Sequence, residues 1–325
     1  MAKKILITGA GGFIGSHLAE GIVESGHKVK ALLRYNSKNN WGWLENSKYK
    51  KDIEVVTGDI RDFDSVSDAM KTCNEVFHLA ALIGIPYSYV SPLAYIRTNV
   101  EGTYNILEAA RKQNIENVII TSTSETYGTA QYVPIDESHP MVGQSPYSAS
   151  KIAADQLAIS YFRSFSLPVK IVRPFNTYGP RQSARAVIPT IITQLLQGNK
   201  EIKLGNIHPT RDLTFVKDTV KGFIEISKVA RLDGTITNIG MKEEISVGDL
   251  VNLIAKLMGE EIKIITDEKR VRPDASEVER LFCNNERILK NTGWKPSYTI
   301  KSGLTETIEW LKQNQAMYKP DLYNV

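Results

Sequence analysis

KILITGAGGFIG, residues 4–15, is an apolar run followed directly by Gly9, Gly12 and Gly15 at GxxGxxG spacing. Apolar residues at helical spacing come next, which predicts a strand, a tight turn and a helix. Glycines let the backbone turn sharply and approach a pyrophosphate, which the N–H groups at a helix N-terminus attract. The context predicts a dinucleotide site that includes Phe13 and Ile14, and a purely structural glycine turn is the alternative.

The rest of the first half repeats this rhythm of apolar runs and helical patterns. KVKALLR, IEVVTGDI, EVFHLAA, NVIITSTS and PVKIVRP are continuous apolar runs, as expected for parallel strands covered by helices on both faces. We therefore predict an α/β fold with a Rossmann-type doubly wound parallel sheet and a smaller C-terminal α/β lobe. The predicted dinucleotide-binding domain comprises residues 1–175 and about 212–237, and the second domain 176–211 and 238–325.

Composition narrows the function classes. The 325 residues are 42% hydrophobic and 23% charged, enough for a sizeable core, and the +4 formal charge is scattered, so we expect no nucleic-acid partner. Cys73 and Cys283 show neither disulfide-framework nor zinc-site spacing, and His17 and His78 lack metal-ligand partners, so we expect no metal. No signal peptide or membrane span is evident, and we expect a cytoplasmic protein.

The end of the second predicted strand bears on the choice of cofactor. Many NAD-binding proteins carry an acid there, whereas this chain has Arg34, which suits the ribose phosphate of NADP. NADP is thus modestly favoured over NAD, although Arg34 is also compatible with a solvated surface position. Asp59 and Ile60, which end the third strand, are expected to face the adenine; a turn or helix cap is the alternative for Asp59.

Tyr147 and Lys151 are the candidate catalytic pair. They lie four residues apart in a helical pattern, so both project from one face of the helix. An adjacent ammonium is expected to lower the phenol pKa, and Lys151 is expected also to hold the nicotinamide ribose. The pair follows the fifth strand, whose carboxyl end faces the ligand crevice of a doubly wound sheet.

Several motifs together resemble one family. GAGGFIG, GDI, HLAA, TSTSETYG, YSASK and RPFNTYGPRQ are similar to segments of the extended short-chain dehydrogenases and reductases that act on nucleotide-sugars. The resemblance covers essentially the whole chain. It implies an NAD(P)-binding lobe, a C-terminal nucleotide-sugar lobe and a homodimer formed through two helices per subunit. It further implies cofactor contacts from Ala80, Ala81, Asn99 and Thr121.

The triplet Thr123-Ser124-Glu125 is similar to that of retaining 4,6-dehydratases such as GDP-mannose 4,6-dehydratase. In that chemistry the sugar is oxidised at carbon 4, which makes the carbon-5 proton acidic. Glu125 is then expected to remove that proton and protonate the departing 6-hydroxyl. Thr123 is expected to bond the 4-oxygen, and Ser124, where dTDP-glucose enzymes have aspartate, either relays a proton or leaves the acid duty to Glu125. A structural carboxylate is the alternative for Glu125.

The resemblance also implies substrate-binding residues. These are Asn176, Arg181, Arg185 and Val187 in the loop after the sixth strand, with Arg211, Arg272 and Glu277 further along. The arginines suit a diphosphate, although each alone is compatible with a surface role. YNSKNNWGWLE and ALIGIPYSYVSP are similar to the dehydratases of bacterial nonulosonic sugar pathways, which favours UDP-N-acetylglucosamine, with GDP-N-acetylglucosamine next. A 4-epimerase or reductase and a non-catalytic dinucleotide sensor are the rival functions.

Overall fold

The strands were located in a computed structural model, which describes residues 2–271 and 273–318. They are β1 Lys4–Thr8, β2 Lys28–Arg34, β3 Ile53–Gly58, β4 Glu75–His78, β5 Asn117–Thr121, β6 Val169–Pro174, β7 Asn176–Tyr178, β8 Glu201–Leu204, β9 Thr210–Arg211, β10 Leu213–Phe215, β11 Ile236–Ile239, β12 Ile245–Ser246, β13 Lys263–Thr266 and β14 Arg280–Leu281.

The α-helices alternate with these strands. They are α1 Phe13–Glu24, α2 Phe63–Met70, α3 Ile85–Val90, α4 Pro92–Tyr95, α5 Gly102–Lys112, α6 Pro146–Phe165, α7 Val187–Leu196, α8 Val216–Ser227, α9 Val247–Met258, α10 Glu286–Asn291 and α11 Ile300–Gln313. A π-helical segment, Ile96–Glu101, joins α4 to α5, and a 3₁₀ helix, Ser124–Tyr127, follows β5.

Seven parallel strands form the central sheet in the order β11-β6-β5-β4-β1-β2-β3. This confirms the predicted Rossmann-type doubly wound α/β fold. The order reverses between β1 and β4, which is where such sheets open a ligand crevice at the carboxyl ends of their strands.

The two faces of the sheet are buried separately, because side chains alternate along each strand. Ile5 and Ile7 of β1 face one cluster with α1 and α8, whereas Leu6 faces another with α2, α5 and α6. Continuous apolar runs are therefore required, as the sequence showed.

Two late segments return to the first half of the chain. Helix α8 packs on α1, where Gly21 approaches Val220, and β11 pairs with β6. Short strand pairs, β7 with β10 and β8 with β13, and the β12-β9-β14 group make up the other strands. The exact boundaries between the two lobes stay a prediction. In the described part of the chain, no helix combines the length and apolarity needed to cross a bilayer.

Candidate active site

The turn between β1 and α1 has the shape that a dinucleotide requires. Gly9 has a φ of +72°, and a Cβ there would lie 2.8 Å from the Ala80 nitrogen; a Cβ on Gly15 would lie 2.2 Å from the Gly9 oxygen. Helix α1 begins directly after Gly12, with no side-chain cap and no acidic residue in its first turn. The N–H groups of Phe13 and Ile14 are thus at a helix start suited to an anion.

Charged side chains lie at the neighbouring strand ends where the adenosine is expected. Arg34 is exposed at the end of β2, opposite Gly58 of β3. Asp59 follows that strand and forms an ion pair with Arg61, with Nε–Oδ1 at 3.0 Å. Hydrogen bonding to Arg61 holds the pKa of the Asp59 carboxyl below its usual value, and Arg34 contributes in the same direction. Ile60 is buried, and its carbonyl accepts a hydrogen bond from Asn105.

The edge of β4 and β5 supplies polar groups near the expected nicotinamide end. Asn99 is buried and bonds both backbone groups of Leu82, which holds the loop that contains Ala80 and Ala81. The hydroxyl of Thr121 is buried and has no hydrogen-bond partner among the described residues. Because buried hydroxyls are normally bonded, this orphaned group and the glycine cradle both fit a dinucleotide.

Tyr147 and Lys151 lie in the first turns of α6, which begins with a reciprocal cap between Ser145 and Ser148. Both catalytic candidates are buried. The Lys151 Nζ donates to the Thr121 carbonyl at 2.6 Å. Burial lowers the pKa of Lys151, and the charge of Asp155 opposes that decrease.

The expected depression of the Tyr147 pKa is not found. Burial raises the phenol pKa well above its usual value, and the nearby Thr123 side chain offsets only part of that increase. The negative charge of Glu125 raises the pKa further. The physical reason is that a buried phenolate loses its hydration while the Lys151 ammonium is bonded to a backbone carbonyl.

The strand-end triplet lies beside Tyr147. Thr123 caps the 3₁₀ helix Ser124–Tyr127, and its hydroxyl accepts from the Glu125 N–H at 3.2 Å. Ser124 is only 2% exposed, whereas Glu125 is half-buried. Among the described residues, none bonds or pairs with the Glu125 carboxylate. The structure therefore brings together a hydroxyl donor, a phenol and an uncommitted carboxylate.

The predicted substrate residues Asn176, Arg185 and Val187 lie from β7 to the start of α7. Asn176 begins β7, and its buried Oδ1 has no partner in the described part of the chain. Val187 begins α7. The Arg185 guanidinium lies near Gly84. Burial raises the pKa of Tyr95, and the charge of Arg185 opposes that increase. The Tyr95 ring packs edge-on against the ring of Tyr147. The loop after β6 thus reaches the neighbourhood of the phenol.

Arg211 and Glu277 are brought together. The Arg211 Nη2 lies 3.3 Å from the Glu277 Oε1, and both side chains are largely buried. Arg272 lies outside the described residues.

Comparison with known proteins identifies the family. The family model for GDP-mannose 4,6 dehydratase matches residues 6–307. The chain belongs to this family of extended short-chain dehydrogenases. It is 33% identical to a putative UDP-glucose 4-epimerase of Methanocaldococcus jannaschii, over 95% of this chain and 99% of that protein. It is 30% identical to the dTDP-glucose 4,6-dehydratase of Streptomyces antibioticus, over 98% and 95%.

A solved structure extends the likeness to three dimensions. DesIV, a dTDP-glucose 4,6-dehydratase from Streptomyces venezuelae solved with NAD and TYD bound, superimposes with a TM-score of 0.88 at 27% identity. The match covers 98% of this chain and 99% of that one. Relatives of this GDP-mannose 4,6-dehydratase family member thus include both dehydratases and epimerases of nucleotide-sugars.

Arg181 of this family member is not a free cation. Its guanidinium pairs with Glu20 of α1 at 3.0 Å and bonds the Ser16 hydroxyl at 3.1 Å. The neighbouring His17 bonds the Pro180 carbonyl, and burial lowers its pKa to about 4. Glu20 neutralises the charge of Arg181 in this structure, as Glu277 does for Arg211, and the contact of Arg181 with the substrate stays a prediction.

Sequence reasoning missed the residues that hold the segment before β14. The Tyr89 hydroxyl bonds the Ser276 hydroxyl at 2.5 Å, and the Gln144 side chain donates to the Ala275 carbonyl at 3.3 Å. These partners are more than 130 residues apart, so no sequence spacing shows the contacts. The available signal was the polar stretch Tyr87-Ser88-Tyr89 in the apolar segment after β4.

Proposed function

We propose that the protein is a nucleotide-sugar 4,6-dehydratase that forms a 4-keto-6-deoxy sugar. The observation that carries the proposal is the half-buried Glu125 carboxylate, which has no ion-pair or hydrogen-bond partner among the described residues and lies close enough to Tyr147 to raise its pKa. A carboxylate in that place can exchange a proton with a bound sugar. A 4-epimerase needs no base for carbon 5.

The protein residues divide the proton transfers. Tyr147 takes the proton of the 4-hydroxyl while Thr123 bonds the same oxygen. Glu125 then removes the carbon-5 proton and delivers it to the 6-hydroxyl, which leaves as water. Carbon 5 finally regains a proton, and this balances the one that Tyr147 removed. The turn of residues 9–15 and Lys151 would hold the nicotinamide cofactor, which when bound would supply the positive charge and the reversible hydride acceptor that carry hydrogen from carbon 4 to carbon 6.

The burial of Tyr147 makes it harder for this residue to remove the proton of the 4-hydroxyl. A phenol with a raised pKa is a weak base near neutrality, so Tyr147 needs positive charge close by in the loaded enzyme. Lys151 supplies one such charge, and Asp155 helps to keep it protonated. Ser124 is too buried to reach a sugar as readily as Glu125, which supports Glu125 as the residue that performs both acid and base steps.

The choice of cofactor and substrate rests on the residues proposed to bind them. Gly9, Gly12 and Gly15 with α1 would hold the pyrophosphate, and exposed Arg34 supports NADP over NAD. The similarity of the segments around residues 35–45 and 81–92 to nonulosonic-pathway dehydratases supports UDP-N-acetylglucosamine, with GDP-N-acetylglucosamine second. Arg185, Arg211 and Asn176 are the proposed contacts to the nucleotide-sugar, together with Arg181, Arg272, Glu277 and Val187.

A homodimer is proposed as well. Leu93, Ile96 and Tyr104 are exposed along the composite helix from α4 to α5. Apolar side chains grouped on one helix surface commonly mark a protein interface.

Product analysis tests the function. Purified protein is incubated without added reduced cofactor with UDP-N-acetylglucosamine, GDP-N-acetylglucosamine or dTDP-glucose in turn. We expect one N-acetylglucosamine nucleotide to lose the mass of one water. An unchanged mass with a new isomer by NMR would identify an epimerase, and turnover of dTDP-glucose alone would overturn the substrate proposal. Failure of all three would contradict the proposed function.

A further inference from the structure

A charged pair is buried directly behind the catalytic residues. Asp155 of α6 and Arg173 of β6 are both fully buried. The Arg173 Nη2 and Nε lie 2.8 Å and 3.2 Å from the Asp155 Oδ2. Asp155 lies four residues after Lys151 and eight after Tyr147, so the three occur on one side of α6.

This pair contacts each piece of chain that carries a proposed catalytic group. The Ser122 hydroxyl, next to Thr123, donates to the Asp155 Oδ2 at 2.6 Å. The Arg173 guanidinium lies 4.6 Å from the ring centre of Tyr127, which ends the 3₁₀ helix that carries Glu125. Three separate segments are thus joined through two charges.

Burying the two charges is costly, which argues for a specific role. Desolvation of a buried ion pair often cancels its attraction, and similar apolar side chains are frequently as stable. In addition, the Asp155 Oδ1 is buried without a partner among the described residues. Stability alone therefore gives little reason for this pair in the interior.

We propose that the Asp155–Arg173 pair is a positioning device that fixes Thr123, Glu125 and Tyr147 relative to one another. It rests on the proposed function, because only a reaction that uses all three groups requires their mutual placement. Neither residue touches the sugar. Besides its charge effect on Lys151, Asp155 acts through Ser122 and α6, and Arg173 acts through Tyr127.

The sequence contains a matched control on the same strand. Lys170, also on β6, forms a buried-to-surface pair with Asp233 at 2.5 Å and bonds the Asn117 side chain. Asn117 begins β5, whereas the catalytic triplet follows its end. This second pair therefore tests the effect of removing an ion pair from β6 without touching the site.

The experiment compares the double variants D155N/R173M and K170M/D233N with wild type. Removing both charges of a pair avoids leaving one buried and uncompensated. For D155N/R173M we expect kcat to fall on the order of 100-fold with KM changed less than about twofold, since small misplacements of reacting groups have effects of this size. We expect kcat to be preserved in K170M/D233N.

Amide hydrogen exchange gives a readout that does not depend on activity. In D155N/R173M, exchange should become faster in residues 123–128 and 145–151, and not in the rest of the sheet. Preserved kcat and exchange, or equal losses in both double variants, would overturn the proposal. Should wild type turn over no sugar nucleotide, the proposed function fails, while the exchange pattern still decides the positioning claim.

A single variant covers the case in which D155N/R173M does not fold. R173K keeps the positive charge but loses the planar group on Tyr127 and the two-nitrogen contact with Asp155. We expect R173K to fold and to show an intermediate loss of kcat with KM retained. Wild-type kcat in R173K would contradict positioning by the guanidinium.

Discussion

Among single residues, Glu125 and Tyr147 carry the proposed chemistry. The sequence predicted their presence at the site from motif and strand position, but not the raised pKa of the Tyr147 phenol. That property depends on burial by segments far apart in the chain, including Tyr95, which no local spacing shows. The same limit applies to the neutralisation of Arg181 by Glu20, its partner 161 residues away.

Glu125→Gln is expected to separate oxidation from dehydration. The amide cannot accept the carbon-5 proton, so the overall rate should fall by roughly 10²–10⁴-fold. Oxidation at carbon 4 should persist and be visible as accumulated reduced cofactor absorbance. Glu116→Gln, at an exposed site before β5, is the control and should behave as wild type. Full dehydratase activity in Glu125→Gln would remove Glu125 from the mechanism.

Arg34→Ala is expected to weaken NADP binding selectively. Loss of one charge-assisted contact to the ribose phosphate costs roughly 1.5–3 kcal/mol, which corresponds to a Kd increase on the order of 10-fold or more. The Kd for NAD should change little. Calorimetric titration of both cofactors checks this, with Lys38→Ala as the control for a nearby exposed cation. Equal effects on NAD and NADP would show that Arg34 does not read the phosphate.

Among the structural elements, helix α1 contacts the loop after β7 that contains Pro180 and Arg181. The alternation of apolar runs and helical patterns was sufficient to predict β1–β6 and α1, because these strands are covered on both faces, whereas β11, the last strand of the central sheet, was not predicted. The contacts of α1 with the Arg181 loop were not predictable, since they depend on how the two halves of the chain meet. His17 lies at this junction, neutral and bonded to the Pro180 carbonyl.

The His17 junction predicts loss of stability in mild acid. Its folded pKa of about 4 is below the unfolded value near 6.5, so the unfolded chain binds the extra proton first as the pH falls. The contribution is fully present above pH ~6.5 and decreases by up to about 2 kcal/mol by pH ~5. Urea unfolding of wild type and His17→Gln at both pH values tests this: the variant should show the smaller decrease. Equal decreases would contradict the assignment.

For the whole molecule, the exposed apolar surface along α4–α5 bears on assembly into a dimer. The α/β class and the crevice at the strand ends followed from the sequence, whereas the exposed side chains of the α4–α5 surface became evident only in the structure. L93E/Y104E is expected to convert a dimer into a monomer in sedimentation equilibrium. The variant places carboxylates on both subunits at the apolar interface, where they repel each other. The control K112E, at the end of α5, should remain dimeric. A monomeric wild type would contradict the proposed assembly.

Transfer of the label from a sugar deuterated at carbon 4 tests the central claim most directly. A 4,6-dehydratase moves that hydrogen to carbon 6 within one active site, so NMR and mass analysis of the product should find the deuterium in the new methyl group and one water lost. Deuterium retained at carbon 4 of an isomer with unchanged mass would contradict dehydration and indicate epimerisation.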